Sequence, residues 1–223
     1  PLDSSAASDV YKRQLLNSYL NEMSKIALKY GGTIDKFVGD AILIFFGDPE
    51  TKGDKEDAYS CVLMALEMQE RMHHLKNLWE GQGITNPLEI RIGINTGYCN
   101  VGNFGSENRL DYTIIGGEVN LASRLESNAM TGQILISQET YALIKKHIVC
   151  EKKDEIKVKG IAHKIQTYQV VGSYKNIAQK RKILNEKFDG FNLNIDLNIS
   201  KKNEVITSLE NTLKQLKKDQ KSN

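Results

Sequence analysis

Leu88, Ile90, Ile92 and Ile94 alternate with Glu89 and Arg91 in LEIRIGINTG (88–97), so one parity is apolar and the other charged. A period of two predicts a strand with one face in a core. Ile34, Lys36 and Val38 share a parity in TIDKFV, and AILIFF follows after Gly39-Asp40. A glycine-led pair between two such runs predicts a hairpin over 33–46 with Asp40 at its tip. Other segments carry a helical period. Leu16, Leu20, Met23 and Ala27 form one stripe from Leu15 to a stop at Gly31-Gly32. Ala58, Cys61, Ala65, Met68, Met72 and Leu75 form another, capped by Asp54 and ending near Gly81. Downstream the pattern predicts a glycine-rich hairpin loop in VGNFGSENR, a short strand DYTII and a helix near 117–128. A strand QILIS, a helix near 138–146 and strands near 155–159 and 166–171 complete the series. Strands alternating with helices, hairpins included, imply an α+β or α/β sandwich with a mixed sheet.

The ends read differently from the middle. Residues 1–14, PLDSSAASDVYKRQ, are small, polar and without period, and are expected to be a non-native or disordered segment such as an assembly scar. After Gly172, FNLNIDLNI (191–199) alternates as a strand would, and EVITSLENTLKQLKK (204–218) places Val205, Leu209, Leu213 and Leu216 on one helical stripe. That stripe is expected to pack back on the domain rather than pair with another chain. The expected organisation is therefore a domain over 15–172 and an extension over 173–223.

Composition narrows the function classes. Apolar residues at 40% and charged residues at 26% are ordinary for a globular protein, and 223 residues suffice for one buried domain plus an extension. No apolar run approaches the about 20 residues of a membrane span, and no secretory signal is evident. Cys61, Cys99 and Cys150 are widely spaced and fit reduced thiols in a cytosol, and the four histidines lack metal-ligand spacing. Residues 1–173 carry 19 Lys and Arg against 22 Asp and Glu, whereas 174–223 carry 11 against 6. The basic charges of the tail are interspersed with acids, which favours a solvated surface over a nucleic-acid site.

Two local patterns carry chemistry. In GGEVNLASRLES (116–127) Asn120 and Arg124 stand four apart on one helix face, while Val119, Ala122 and Leu125 are free to serve the core. An amide and a guanidinium presented together can clamp a phosphate, although such pairs commonly decorate surfaces. No GxxxxGK[ST] occurs, so a P-loop is excluded, and VGNFGSENR lacks dinucleotide-binding spacing.

Taken together, TIDKFVGDAILIFFG, IRIGINTG, DYTIIGGEVNLASRLE and KVKG, in this order, resemble the class III nucleotidyl cyclases, over about residues 15–172. The resemblance implies a ferredoxin-like palm that dimerises head to tail and shares its active sites between subunits. It implies conversion of a nucleoside triphosphate to a 3′,5′-cyclic monophosphate and pyrophosphate, with two Mg²⁺ or Mn²⁺ ions per site. Asp40 matches the second metal-binding carboxylate; Asn120 matches the ribose-orienting amide and Arg124 the transition-state arginine. Arg91 in IRIGI and Lys159 in KVKG match the triphosphate-holding positions. Lys36 and Thr113 match the base-selecting pair. A lysine donor suits adenine N1 and a threonine hydroxyl can accept from the adenine amino group, so both point to ATP. Asp40 and Arg91 would come from one subunit, and Lys36, Thr113, Asn120, Arg124 and Lys159 from the other.

One motif departs from the family. Its first metal-binding Asp lies in a DIxGFT-like strand motif that this sequence lacks; Asp9 is too close to Leu15 and its flanks do not match. The resemblance therefore implies a domain without its first strand, inactive as this chain alone, cut from a longer cytoplasmic or membrane-anchored protein with upstream sensor or receiver domains. A guanylate cyclase and a non-catalytic dimerisation module are the alternatives. Diguanylate cyclases share a related palm but lack the NxxxR helix.

Overall fold

A computed structural model describes residues 4–84, 87–158, 164–174, 183–196 and 202–219. The chain forms two compact units, Pro1–Ser173 and Tyr174–Asn223. In the first, helix α1 (Ser4–Lys29) precedes a hairpin of β1 (Thr33–Val38) and β2 (Ala41–Phe45), and helix α2 (Asp54–Gly81) follows. Next come β3 (Ile92–Ile94), the hairpin β4 (Asn100–Ser106) and β5 (Arg109–Ile115), and helix α3 (Gly117–Asn128). The unit closes with β6 (Ile134–Ser137), α4 (Gln138–Ile144), β7 (Ile148–Lys152) and β8 (Thr167–Ser173).

The central sheet has the order β3-β6-β8-β7. Strand β3 runs parallel to β6, while β8 is antiparallel to both β6 and β7, so the sheet is mixed. All four residues of β6 are buried because both faces of the sheet are covered. Ile134 and Ile136 join Ile94, Ile148 and Val170 against Ala58, Val62 and Ala65 of α2 and Ile144 of α4. Leu135, of opposite parity, joins Leu121 and Leu125 of α3 on the other face. The other face of α2 presents Met64, Met68, Met72, Leu75 and Trp79 to Tyr19, Met23, Ile26 and Ala27 of α1. Helix α2 is thus apolar on two sides because it lies between α1 and the sheet. The architecture is the α+β palm expected from the sequence, with helices on both faces of a mixed sheet.

Several local expectations are corrected. Residues 4–14 are helical, and α1 begins at Ser4 rather than Leu15; no glycine or proline interrupts 4–29, so nothing stops the helix there. Asp9 therefore lies in a helix, not a strand. Asp54 opens the first turn of α2 instead of capping it, Gly53 being the cap residue, although Asp54, Glu56 and Asp57 still complement the helix dipole. The strand expected from Leu88 is paired only over 92–94, since β6 offers just four residues and no described strand lies beyond β3. VGNFGS is strand β4, not a loop: Gly105 lets β4 and β5 approach at the turn end, where a Cβ would strike the Arg109 carbonyl oxygen. Strand β7 lies at 148–152, and of the strand expected near 155–159 the described residues 155–158 hold only a bridge between Ile156 and Ile165, residue 159 lying outside the described residues.

In the second unit β9 (Ile183–Phe188) pairs antiparallel with β10 (Phe191–Asp196) around Gly190, whose φ is 76°. Helix α5 (Lys202–Asp219) carries Glu204 in its first turn and Lys217 and Lys218 in its last, matching the helix dipole. Residues 197–199 of the expected strand lie outside the described residues.

Candidate active site

Helix α3 leaves β5 through Gly116, whose φ of 154° suits glycine, and so begins directly beyond Thr113. Burial of Leu121 and Leu125 turns the opposite side of α3 outward, and Asn120 and Arg124 are exposed there, one turn apart. Neither side chain has a partner among the described residues. Arg91 approaches the same helix: its Nε lies 2.5 Å from Oε1 of Glu126, the two side chains being 46% and 38% exposed. The sequence did not single out Glu126.

Asp40 occupies the tip of the β1–β2 hairpin, exposed, after Gly39 with φ 65°. The positive φ at the first central position of the turn suits glycine, as the Gly39-Asp40 pair predicts, and among the described residues only glycines adopt positive φ. Asp40 makes no hydrogen bond or ion pair among the described residues. Its negative charge reaches Tyr19, whose phenol is pushed up to about 12, first by burial and then by Asp40.

Lys36 and Thr113 are brought together by a residue the sequence did not flag. Ile34 pairs with Ile44 and Lys36 with Leu43, leaving Asp35 as the extra residue of a β-bulge. A bulge re-aims a side chain, and this one sends the Asp35 carboxylate to β5. The Thr113 hydroxyl donates to Oδ2 at 2.7 Å and the Ile114 amide at 3.2 Å, while Lys36 Nζ stands 3.4 Å from Oδ1. The Asp35 side chain is 1% exposed and Lys36 46%. No period in TIDKF marks a bulge. Nearby, Tyr112 donates to Asp48 and Thr33 Oγ1 to the Asp48 carbonyl, fastening the two hairpins to one loop.

Lys159 lies outside the described residues. Among those described, no three His, Cys, Asp or Glu side chains converge as a metal site. Asp40 alone offers one carboxylate, which does not fit a two-metal centre, since Mg²⁺ held by a single carboxylate keeps most of its own water. The three cysteines are free. Burial pushes the Cys61 thiol up to about 12 and Cys150 up to about 11, and it raises Cys99 as well, which makes all three poor nucleophiles.

The profile of the "Adenylate and Guanylate cyclase catalytic domain" matches residues 4–172. A terminal-differentiation-specific adenylate cyclase of Dictyostelium discoideum is 35% identical over 161 residues, covering 70% of this chain and 7% of that protein. The adenylyl cyclase CyaB from P. aeruginosa is 61% identical with a TM-score of 0.72, covering 78% of this chain and 86% of that structure. The guanylyl cyclase Cya2 is 37% identical with a TM-score of 0.67, covering 72% and 80%. This chain spans less than a third of the length of the first curated adenylate cyclases it matches. With the palm fold and the family match over residues 4–172 in agreement, the chain belongs to the adenylate and guanylate cyclase catalytic domain family.

Proposed function

We propose that this domain is an adenylate cyclase that converts ATP to 3′,5′-cyclic AMP and pyrophosphate in intracellular signalling. The observation that carries the choice of base is the junction of Lys36 and Thr113 through Asp35. Lys36 donates to adenine N1, which guanine replaces with an N–H that would face the ammonium. Thr113 offers an acceptor to the adenine amino group. Arg91 and Lys159 hold the triphosphate. The ribose 3′-oxygen attacks the α-phosphorus, loses its proton and displaces pyrophosphate in line. Asn120 orients the ribose, and Arg124 meets the charge that grows on the phosphoryl oxygens, a contact whose loss commonly costs about 3 kcal/mol in barrier.

Among the described residues one carboxylate does not make a two-metal site. Asp40 is the residue of this chain that would meet a Mg²⁺ or Mn²⁺ ion. The domain is proposed to act in the cytoplasm as a head-to-tail homodimer, with upstream sensor or receiver domains in the complete protein. Free thiols and the partial coverage of longer relatives are compatible with that assignment. The similarity to Cya2 keeps guanylate cyclase as the second reading. Nucleotide preference of the full-length protein decides between them. Wild type is expected to cyclise ATP well above GTP, and Lys36→Glu with Thr113→Cys should lower ATP turnover and raise that of GTP. A wild-type preference for GTP would overturn the adenylate assignment.

A further inference from the structure

We infer that Asp35 is a positioning residue for base specificity, fixing the hydrogen-bonding sense of Thr113 and the placement of the Lys36 ammonium at once. The inference rests on the adenylate reading and adds to it a residue outside the motif positions that read the base.

The chemistry follows from what each group can do. A carboxylate flanked by an ammonium and an amide N–H accepts hydrogen bonds and donates none. The Thr113 hydroxyl, 2.7 Å from Oδ2, must therefore spend its one proton on Asp35. The alternative acceptor, the Ile114 carbonyl oxygen, is 3.5 Å away and competes poorly. With its proton committed, the Thr113 oxygen has only lone pairs left for a ligand. A free hydroxyl would rotate and serve an amino group or a carbonyl oxygen equally well. A hydroxyl held by Asp35 serves the adenine 6-amino group and rejects the guanine 6-oxygen, because two acceptors would then face each other without a proton. The geometry thus turns an ambivalent threonine into a selective one.

Lys36 is the second arm. Its side chain is half exposed and its ammonium lies 3.4 Å from Oδ1, on the edge of the carboxylate that Thr113 leaves free. One carboxylate therefore uses separate oxygens for the two readers: Oδ2 for Thr113 and the Ile114 amide, Oδ1 for Lys36. Burial of the carboxylate keeps water from substituting for either partner. The bulge that places Asp35 here interrupts the β1–β2 register, and a regular strand would aim this residue elsewhere.

A plain structural tie between β1 and β5 would show the same contacts, so the test separates the two arms. Four triphosphates are compared on the full-length protein by kcat/KM: ATP, GTP, purine riboside triphosphate, which lacks the 6-amino group, and 1-deaza-ATP, which lacks the N1 acceptor. Wild type should favour ATP over each analogue by about tenfold or more. Asp35→Asn keeps a carbonyl acceptor that can face Thr113 but turns an N–H toward Lys36. It should retain the 6-amino preference and lose most of the N1 preference. Asp35→Ala should lose the N1 preference and keep much of the 6-amino preference, because a freed Thr113 hydroxyl still accepts. It should, however, use GTP relative to ATP several-fold better than wild type, since that hydroxyl can now donate to the guanine 6-oxygen. If Asp35→Ala does not fold, the split in Asp35→Asn decides alone. Wild-type ratios in Asp35→Asn, with turnover of all four substrates reduced alike, would reduce Asp35 to a structural tie and overturn the inference. Absence of any preference in the wild type would overturn the adenine reading itself, and this inference with it.

Discussion

Glu126 holds Arg91 in a contact that a triphosphate would have to replace. Both side chains are more than a third exposed, so solvent screens the pair and its worth is at most about 1 kcal/mol. If Arg91 binds the triphosphate, Glu126→Gln should lower KM for ATP by up to about fivefold at low salt with little change in kcat. The difference should shrink as salt rises, because exposed ion pairs are screened over a short Debye length. Arg91→Ala should raise KM for ATP, and a KM unchanged in that variant would remove Arg91 from the triphosphate site. Residues with a local role were legible at this scale. Gly39 and Asp40 follow from the turn they make, and Asn120 and Arg124 from a helical spacing that burial of Leu121 and Leu125 confirms. Asp35 and Glu126 were not legible, because their partners Thr113 and Arg91 lie 78 and 35 residues away in sequence. Only a chain that folds first brings such pairs together.

Strand β3 and helix α3 meet at Gly93, and that meeting sets where Asn120 and Arg124 stand. A Cβ on Gly93 would press into the backbone nitrogen of Glu126 and the carbonyl oxygen of Ala122. Backbone of a helix cannot swing aside as a flexible side chain does, so α3 itself must move. Gly93→Ala is expected to cost about 1–3 kcal/mol, read as a lower urea midpoint, and to reduce activity further by displacing α3. Gly102→Ala is the control, since its added Cβ would find only the Phe104 ring, at 3.8 Å. Equal midpoints for the two variants would show that α3 is not seated by this contact. Elements whose period is uninterrupted were readable, notably α2, α3 and β6. The errors share one cause. LEIRIGI alternates along its length yet pairs only where β6 reaches it, and VGNFGS has turn composition yet pairs fully because β5 lies alongside. Propensity marks which residues are able to form a strand, and the partner strand determines which of them do.

Across the whole molecule the candidate residues fall into separate groups. Lys36 and Thr113 are joined through Asp35, Arg91 is joined to α3 through Glu126, and no hydrogen bond or ion pair links Asp40 to Asn120 or Arg124. An intramolecular attack on the α-phosphorus needs all of them around one nucleotide, with reacting atoms held to within a few tenths of an ångström. A second copy supplies the missing side if the dimer is head to tail, because a twofold axis places the hairpin tip of each chain toward the α3 face of the other and creates two equivalent sites. Period and composition carry no trace of such an arrangement, since it depends on a surface rather than on a segment. The proposal nevertheless makes a demand that folding of a single chain does not. Full-length Asp40→Ala and Arg124→Ala proteins should each be nearly inactive as homodimers, since every site in each lacks one residue. Mixed and allowed to exchange subunits, half of the dimers become heterodimers, in which one site has lost both residues and the other keeps both. Activity should then recover to about a quarter of wild type, the ceiling set by random exchange between equivalent twofold partners. If each chain held a whole site, every chain in the mixture would still carry one lesion and recovery would be nil. Heterodimers demonstrated by two affinity tags, with activity no higher than that of the parents, would therefore refute the shared site, whereas recovery that rises with the heterodimer fraction would place Asp40 and Arg124 on opposite sides of one nucleotide.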